Sequence, residues 1–289
     1  MNNEEEADIM TTKSSDLSAT YISSDRADSW HRAKQRREES TGAVTELMLD
    51  LADLRPGDRV LDVAAGTGDS SLIAARRVEP NGHVLAVDMS ANMLKRAEAS
   101  AREAGLTNIE TRVMNAATLE FEANSLDVVI CRLALMLFAN PTAALAEMHR
   151  VVKPTRKVAV MVFSAPERNP FHGLALQVAR GIGNMPTPPP GQPGMFALGG
   201  EGLLDHVYRQ AGFNGVSIHP GTIRRRYSSL QDAIQGMKGS SAALHDLMVK
   251  LSEADQDRAW EQIEKGLSQF AGPDGFDAPG EVLIGVGTK

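Results

Sequence analysis

The residues best suited to chemistry lie together near position 60. The run Val60-Leu61-Asp62-Val63-Ala64-Ala65-Gly66-Thr67-Gly68-Asp69 holds an apolar strand, a carboxylate and two closely spaced glycines. Pro56-Gly57-Asp58 make a turn ahead of it, and a helix should begin near Ser70. A glycine loop at the carboxyl end of a strand lets backbone N–H groups approach a ligand, because no Cβ intervenes. The positive end of the following helix points at the same place. Such a loop opens a nucleotide-type cofactor site. The next strand ends in Asp88, where a carboxylate can accept both hydroxyls of an adenosine ribose. A dinucleotide loop reads Gly-x-Gly-x-x-Gly, the third glycine allowing close helix–strand packing. Here the run is Gly66-Thr67-Gly68-Asp69-Ser70-Ser71, and that glycine is absent. The loop and Asp88 by themselves serve any adenosine cofactor.

The elements that must position these residues follow from periodicity. Val44, Leu47, Met48, Leu51 and Leu54 recur at helical spacing. Strands are expected at Val60–Val63, His83–Val87, Ile109–Val113, Leu126–Cys131 and Lys157–Phe163. Between them come a helix from Ser70 to about Arg77, one capped by Ser90 and stopped by Gly105, and one opened by Asn140-Pro141. Val128, Val129 and Ile130 are apolar on both faces, as a buried parallel strand requires. Alternation of this kind means a parallel sheet with helices on both faces. Beyond Phe163 the pattern changes. Residues 165–200 are Pro-rich and read as a long loop, functional or disordered. A helix at Gly200–Ala211, a strand at Val216–His219, a helical stretch over 229–269 and a last strand at Glu281–Val286 complete the chain.

Composition narrows the classes. The 289 residues are 42% hydrophobic and 23% charged, enough for a sizeable core in a globular protein. The formal charge of −7 argues against a nucleic-acid partner. The basic cluster His31-Arg32-Ala33-Lys34-Gln35-Arg36-Arg37 precedes Glu38-Glu39 and reads as a solvated helix face. Cys131 is the only cysteine, which suits a reducing cytoplasm. No window approaches the roughly 18 apolar residues of a membrane span. The acidic start of the chain lacks signal-peptide character, and residues 1–18 are expected to be mobile. His83, His149, His206, His219 and His245 show no metal-ligand spacing, so no catalytic metal is expected.

Five segments carry a family resemblance: Val60–Asp69, Ala86–Leu94, Asn115–Phe121, Leu126–Arg132 and Glu147–Pro154. In order and spacing the chain resembles the class I S-adenosylmethionine-dependent methyltransferases, nearest the ubiquinone/menaquinone-biosynthesis C-methyltransferase-like group. The motifs cover about residues 43–165. The resemblance implies a doubly wound, seven-stranded sheet, mostly parallel with an antiparallel last strand, plus a helical and loop cap. It implies S-adenosylmethionine as cofactor. Ala64, Gly66, Thr67 and Gly68 would pack against its methionine part, and Asp62 would help hold its ammonium group. Asp88 would bind the ribose, Met89 would lie against the adenine face, and Asn115 and Ala116 would meet the adenine edge. Cys131, Arg132 and Leu133 would approach the methionine moiety. The chain departs from the family pattern at Ala64, often Gly, at Asn115, often Asp, and at Thr155-Arg156, usually Gly-Gly. Each residue also has a plainer reading. Asp62 could cap loop amides, Asp88 could punctuate a helix, Asn115 could be a turn residue, and Met89 and Met93 could be core.

Methyl transfer from a sulfonium is an in-line displacement, in which the protein mainly aligns the acceptor and excludes water. A base is needed only for a hydroxyl, a protonated amine or a carbon acid. His172, after Asn169-Pro170-Phe171, is the candidate base, with His31 a weaker one. Arg132 could pair with an acidic acceptor, with the cofactor carboxylate, or in a structural ion pair. Trp30 and Phe138 could present aromatic faces or simply pack. The expected organisation is residues 1–18, a cofactor-binding core over 19–164 with N-terminal helices, and a substrate cap over 165–289 that also supplies the last two strands. The substrate side would draw on the helix around Tyr21–Arg37, the loop 165–200 and the stretch 229–269. The expected partner is a small-molecule acceptor. The Met-bearing helices at 232–250 could form a homodimer surface. A cofactor-binding protein without methyl transfer and an NAD(P)-dependent oxidoreductase are the competing functions.

Overall fold

The computed structural model describes residues 34–189 and 191–289. Residues 1–18, Trp30, His31 and most of the helix expected around Tyr21–Arg37 lie outside them. The expected alternation is present as α1 (Lys34–Leu51), β1 (Arg59–Val63), α2 (Asp69–Val78), β2 (His83–Asp88), α3 (Ala91–Glu103), β3 (Ile109–Val113), β4 (Leu126–Arg132), α4 (Pro141–Val151) and β5 (Val152–Phe163). The caps are local. The Met93 N–H donates to Ser90 Oγ at 3.3 Å, and that of Ala143 to Asn140 Oδ1 at 2.9 Å.

With β6 at Asn214–Tyr227 and β8 at Gly275–Thr288, strand order is β3-β2-β1-β4-β5-β8-β6. Strands β1 to β5 pair in parallel. The last strand, β8, runs antiparallel between β5 and β6. A short β7 (Ala271–Gly272) pairs with β8 off this path. Helices cover both faces. A Cβ added at Gly221 of β6 would lie 3.1 Å from Val44 of α1 and 3.2 Å from Val282 of β8. Gly285, three residues beyond Val282 on β8, faces the other way, towards Leu204 and Tyr208 of α6 (Leu203–Gln210). Because β1 to β4 are parallel, Val63, Asp88, Val113 and Arg132 end at one edge of the sheet. Loops at that edge are where doubly wound folds bind ligands.

The structure corrects several expectations. The supposed loop 165–200 contains a helix, α5 (Pro170–Ile182). Its opening, Asn169-Pro170, is the same signal read correctly at Asn140-Pro141. Asn169, however, does not cap the helix. It donates to Glu281 O at 2.9 Å and accepts from Glu281 N at 3.1 Å, tying α5 to β8. Strand β6 continues past Pro220-Gly221 and through Arg224-Arg225-Arg226, where its apolar pattern ends. It lies at the sheet edge, where proline is tolerated. Strand β5 starts at Val152, not Lys157, with a register shift before Lys157 and Thr155 at φ 65°.

The stretch 229–269 forms α7 (Leu230–Ser240), α8 (Ala242–Met248) and α9 (Glu253–Leu267). With α5 they enclose a second apolar cluster that includes Phe171, Met237, Met248 and Phe276. Met237 and Met248 are thus core, not an outward surface. Phe138 packs half-buried against the main core. Among the described residues, no helix is long and apolar enough to cross a membrane, and no cluster of His, Cys, Asp or Glu could hold a metal ion.

Candidate functional site

The loop after β1 has positive φ at three alternate positions: Ala64 (57°), Gly66 (57°) and Gly68 (85°). Only glycine enters this region without strain, so Ala64 carries a cost of about 1–2 kcal/mol. Gly68 is required twice over, because a Cβ there would sit 2.9 Å from the Ala97 Cβ of α3. The loop is held from β2, with Ala65 N–H donating to Val87 O at 3.0 Å. Asp88 Oδ2 accepts from Gly66 N at 2.9 Å and Oδ1 from Ser90 N at 2.8 Å. Asp88 therefore braces the glycine loop and opens α3 at once. Burial raises its pKa against the lowering pull of these amides.

Asp62 lies beneath the loop and is fully buried. Its Oδ2 accepts from Ser70 Oγ at 2.8 Å and Ser71 Oγ at 2.6 Å, while Oδ1 has no partner. Burial pushes its carboxyl up to about 6, against the two serines and the nearby Arg132. Neither sequence reading foresaw this arrangement. Ser71 occupies the position of the missing third glycine and uses its hydroxyl to anchor the carboxylate. The orphaned Oδ1 is a buried acceptor that fits a cationic group, and buried polar atoms without partners call for such an explanation.

The remaining predicted residues converge on the same edge. Met114 N–H donates to Asp88 O at 3.0 Å, bringing Asn115 and Ala116 beside β2. Asn115 Oδ1 accepts from Ala117 N at 2.9 Å in a turn, and Ala116 is half-buried. Met89 is 50% exposed, whereas Met93 is core. Leu133 leaves β4 at φ 57°, its N–H donating to Met161 O at 2.7 Å. Cys131 has its side chain sealed in the core, and burial pushes its thiol pKa up, so only its backbone can face the edge.

Arg132 makes an ion pair. Its guanidinium donates to Asp69 Oδ2 at 3.1 Å and Thr41 Oγ1 at 2.8 Å. Asp69 also accepts from Arg37 Nε at 2.8 Å, and Arg37 reaches Thr67 Oγ1 at 3.0 Å. Burial would raise Asp69, but the two guanidinium groups outweigh it and hold its carboxyl below the usual range. The basic cluster is therefore not simply a solvated face. Arg37 is 13% exposed and reaches over the loop, and Arg36 lies over the Tyr227 ring at 5.3 Å. No local signal in the sequence pointed to Arg37. Thr67 and Asp69, its partners, lie within the motif.

His172 stands apart from this edge group, on α5 beside the end of β5. It packs edge-on to Phe171 (4.9 Å) and Phe163 (6.0 Å), and its Nδ1 is buried without a partner. Burial and then the charge of Arg225 bring its pKa down to about 3. At neutral pH it is an uncharged imidazole, a hydrogen-bonding group but a weak base.

Comparison with known proteins bears on this arrangement. Residues 54–178 match a family model described as a methyltransferase domain. An uncharacterized protein of Mycobacterium tuberculosis is 32% identical over 193 residues, covering 67% of this chain and 64% of that protein. A demethylmenaquinone methyltransferase of Listeria monocytogenes is 38% identical over 118 residues, covering 41% of this chain and 50% of that protein. The chain thus spans less than two thirds of each of these relatives. The YcgJ protein of Bacillus subtilis superimposes with a TM-score of 0.57 at 20% identity, covering 86% of this chain and 98% of that one.

Proposed function

We propose, from the match of residues 54–178 to a methyltransferase-domain model and the class I S-adenosylmethionine-dependent pattern of the motifs, that the chain moves the methyl group of S-adenosylmethionine to a small-molecule acceptor. The observation that best supports the cofactor is Asp62, a buried carboxylate with one unpartnered oxygen under a loop of three left-handed residues. That oxygen suits an ammonium group, and the loop suits a methionine chain. The serine at the third-glycine position disfavours a dinucleotide.

On this reading Asp88 takes the ribose hydroxyls, Met89 covers the adenine, and Asn115 with Ala116 meets its edge. Gly66, Thr67 and Gly68 flank the methionine part together with Ala64 and the backbone of Cys131 to Leu133. Arg132 and Arg37 stand near the carboxylate end. The cofactor, when bound, supplies an electrophilic methyl on a sulfonium, ready for in-line displacement. The chain's own work is then to orient the acceptor and exclude water. The segment 165–289, with α5 and α7 to α9, would cap the acceptor. His172, uncharged, would position the acceptor through a hydrogen bond better than it would remove a proton.

Calorimetry with S-adenosylhomocysteine tests the cofactor. Binding by the wild type, weakened at least about tenfold in Asp88→Ala, is expected. No heat with S-adenosylhomocysteine, or tight binding of NADH in its place, overturns the reading.

A further inference from the structure

Strand β6 carries Arg224, Arg225 and Arg226, whose side chains alternate between faces. Arg224 and Arg226 both pair with Asp277 of β8, at 2.8 and 3.4 Å. Arg225 points the other way, on the face where Gly221 meets α1. Its Nε is buried with no hydrogen-bond partner, and no carboxylate pairs with it among the described residues. Its guanidinium lies 6.0 Å from the centre of the Phe163 ring. Burial lowers its pKa, as do the charges of Arg132 and Arg37. Asp69 pairs with both Arg37 and Arg132. Among the described residues Arg225 receives no such compensation. The same Phe163 ring also meets the His172 imidazole, at 6.0 Å between centroids, and the Nδ1 of His172 is buried without a partner.

A half-buried guanidinium whose Nε is sealed from water without a partner, and which has no carboxylate among the described residues, costs stability. Its surroundings say what would satisfy it. Phe163 offers an aromatic face, Arg225 offers donors to an oxyanion, and His172 offers one more hydrogen bond. All three sit at the end of β5 and β6, next to the edge where β1 and β4 carry the cofactor residues. We infer that Arg225, with Phe163 and His172, forms an anion subsite for the methyl acceptor, and that the acceptor is a carboxylate-bearing compound with an apolar body.

The inference rests on the proposed methyltransferase reading, and the test separates the two. The probes are 4-hydroxybenzoate and its uncharged counterpart 4-hydroxybenzamide, titrated calorimetrically into the protein with and without saturating S-adenosylhomocysteine. The variants are Arg225→Met and, as control, Arg226→Met. In the wild type the carboxylate should bind about tenfold or more tightly than the amide. Arg225→Met should remove that preference, and Arg226→Met should keep it. Thermal unfolding without ligand supplies a second readout. Arg225→Met should melt no lower than the wild type, since it deletes an unpaired buried charge, while only proteins that retain Arg225 should gain stability from the benzoate. Equal binding of the two probes, no binding of the benzoate in either state, or an unchanged preference in Arg225→Met overturns the subsite. Failure of S-adenosylhomocysteine to bind overturns the cofactor reading alone, because the benzoate comparison is also made without it.

Discussion

Replacing Asp62 by Asn tests whether a carboxylate is held at high cost beneath the loop. Its carboxyl is raised from 3.8 to about 6 by burial. A shift of about two units corresponds to about 3 kcal/mol between the two protonation states. The folded protein binds this proton more tightly than the unfolded chain does. Asp62 therefore favours folding below pH 4, and that contribution is lost as pH rises to about 6. Other carboxylates slope the opposite way, since Asp69, Asp127 and Glu147 are held low by their partners. Those slopes are common to wild type and variant and cancel in the difference. So does any constant effect of altering the bonds from Ser70 and Ser71. Urea unfolding without ligand, run from pH 4.5 to 7.5, should show the variant gaining on the wild type with rising pH, by about 2 kcal/mol of the full ~3 kcal/mol, the rest lying below pH 4.5. A difference that stays flat within about 1 kcal/mol across this range would refute the reasoning, since it would mean that Asp62 pays no penalty for its charge. In the same samples at pH 7.5, S-adenosylhomocysteine should bind the variant at least about tenfold more weakly. Unchanged affinity would remove Asp62 from the cofactor site.

Three further predictions concern the frame around the site. Gly68→Ala forces a side chain into φ 85° and against Ala97, and should cost about 2–4 kcal/mol by chemical denaturation. Thr155→Gly relieves a β-branched residue at φ 65°, far from the cofactor edge. It should raise stability by about 1 kcal/mol once the flexibility of glycine is subtracted, a gain that differential scanning calorimetry would detect. Tyr208→Phe deletes a fully buried hydroxyl that donates to Gly285 O at 2.8 Å. A loss of about 1–2 kcal/mol with unchanged S-adenosylhomocysteine affinity is expected from paired denaturation and binding measurements.

The strand–loop–helix from Val60 to Val78 was legible because its signals are local. An apolar strand, two glycines and a helix start lie within twenty residues or so, and each acts through its own backbone. Asp88 was legible for the same reason, at the end of the next strand. The helix α5 was missed because proline-rich neighbours masked its Asn169-Pro170 opening. The length of β6 was missed because three arginines and a Pro-Gly pair do not look like a strand. Such a sequence becomes one only when β8 pairs with it along its length. The Met-bearing helices at 232–250 were open to a dimer surface, and the burial of Met237 and Met248 was not legible, because periodicity shows that a helix has an apolar face, not what covers it.

The sequence by itself determined which edge of the sheet carries the glycine loop. Parallel strands must end together, and glycine alone lets the backbone turn there without strain. Only the tertiary structure decided what the charges at that edge do. Asp69 compensates Arg37 and Arg132, which lie 32 and 63 residues away, while Arg225 has no carboxylate partner among the described residues. Burial, which raises Asp62 and lowers His172, depends on how α1, α5 and β6 close over the strand ends. Pairing and desolvation are properties of distance in space, and adjacent letters do not carry them.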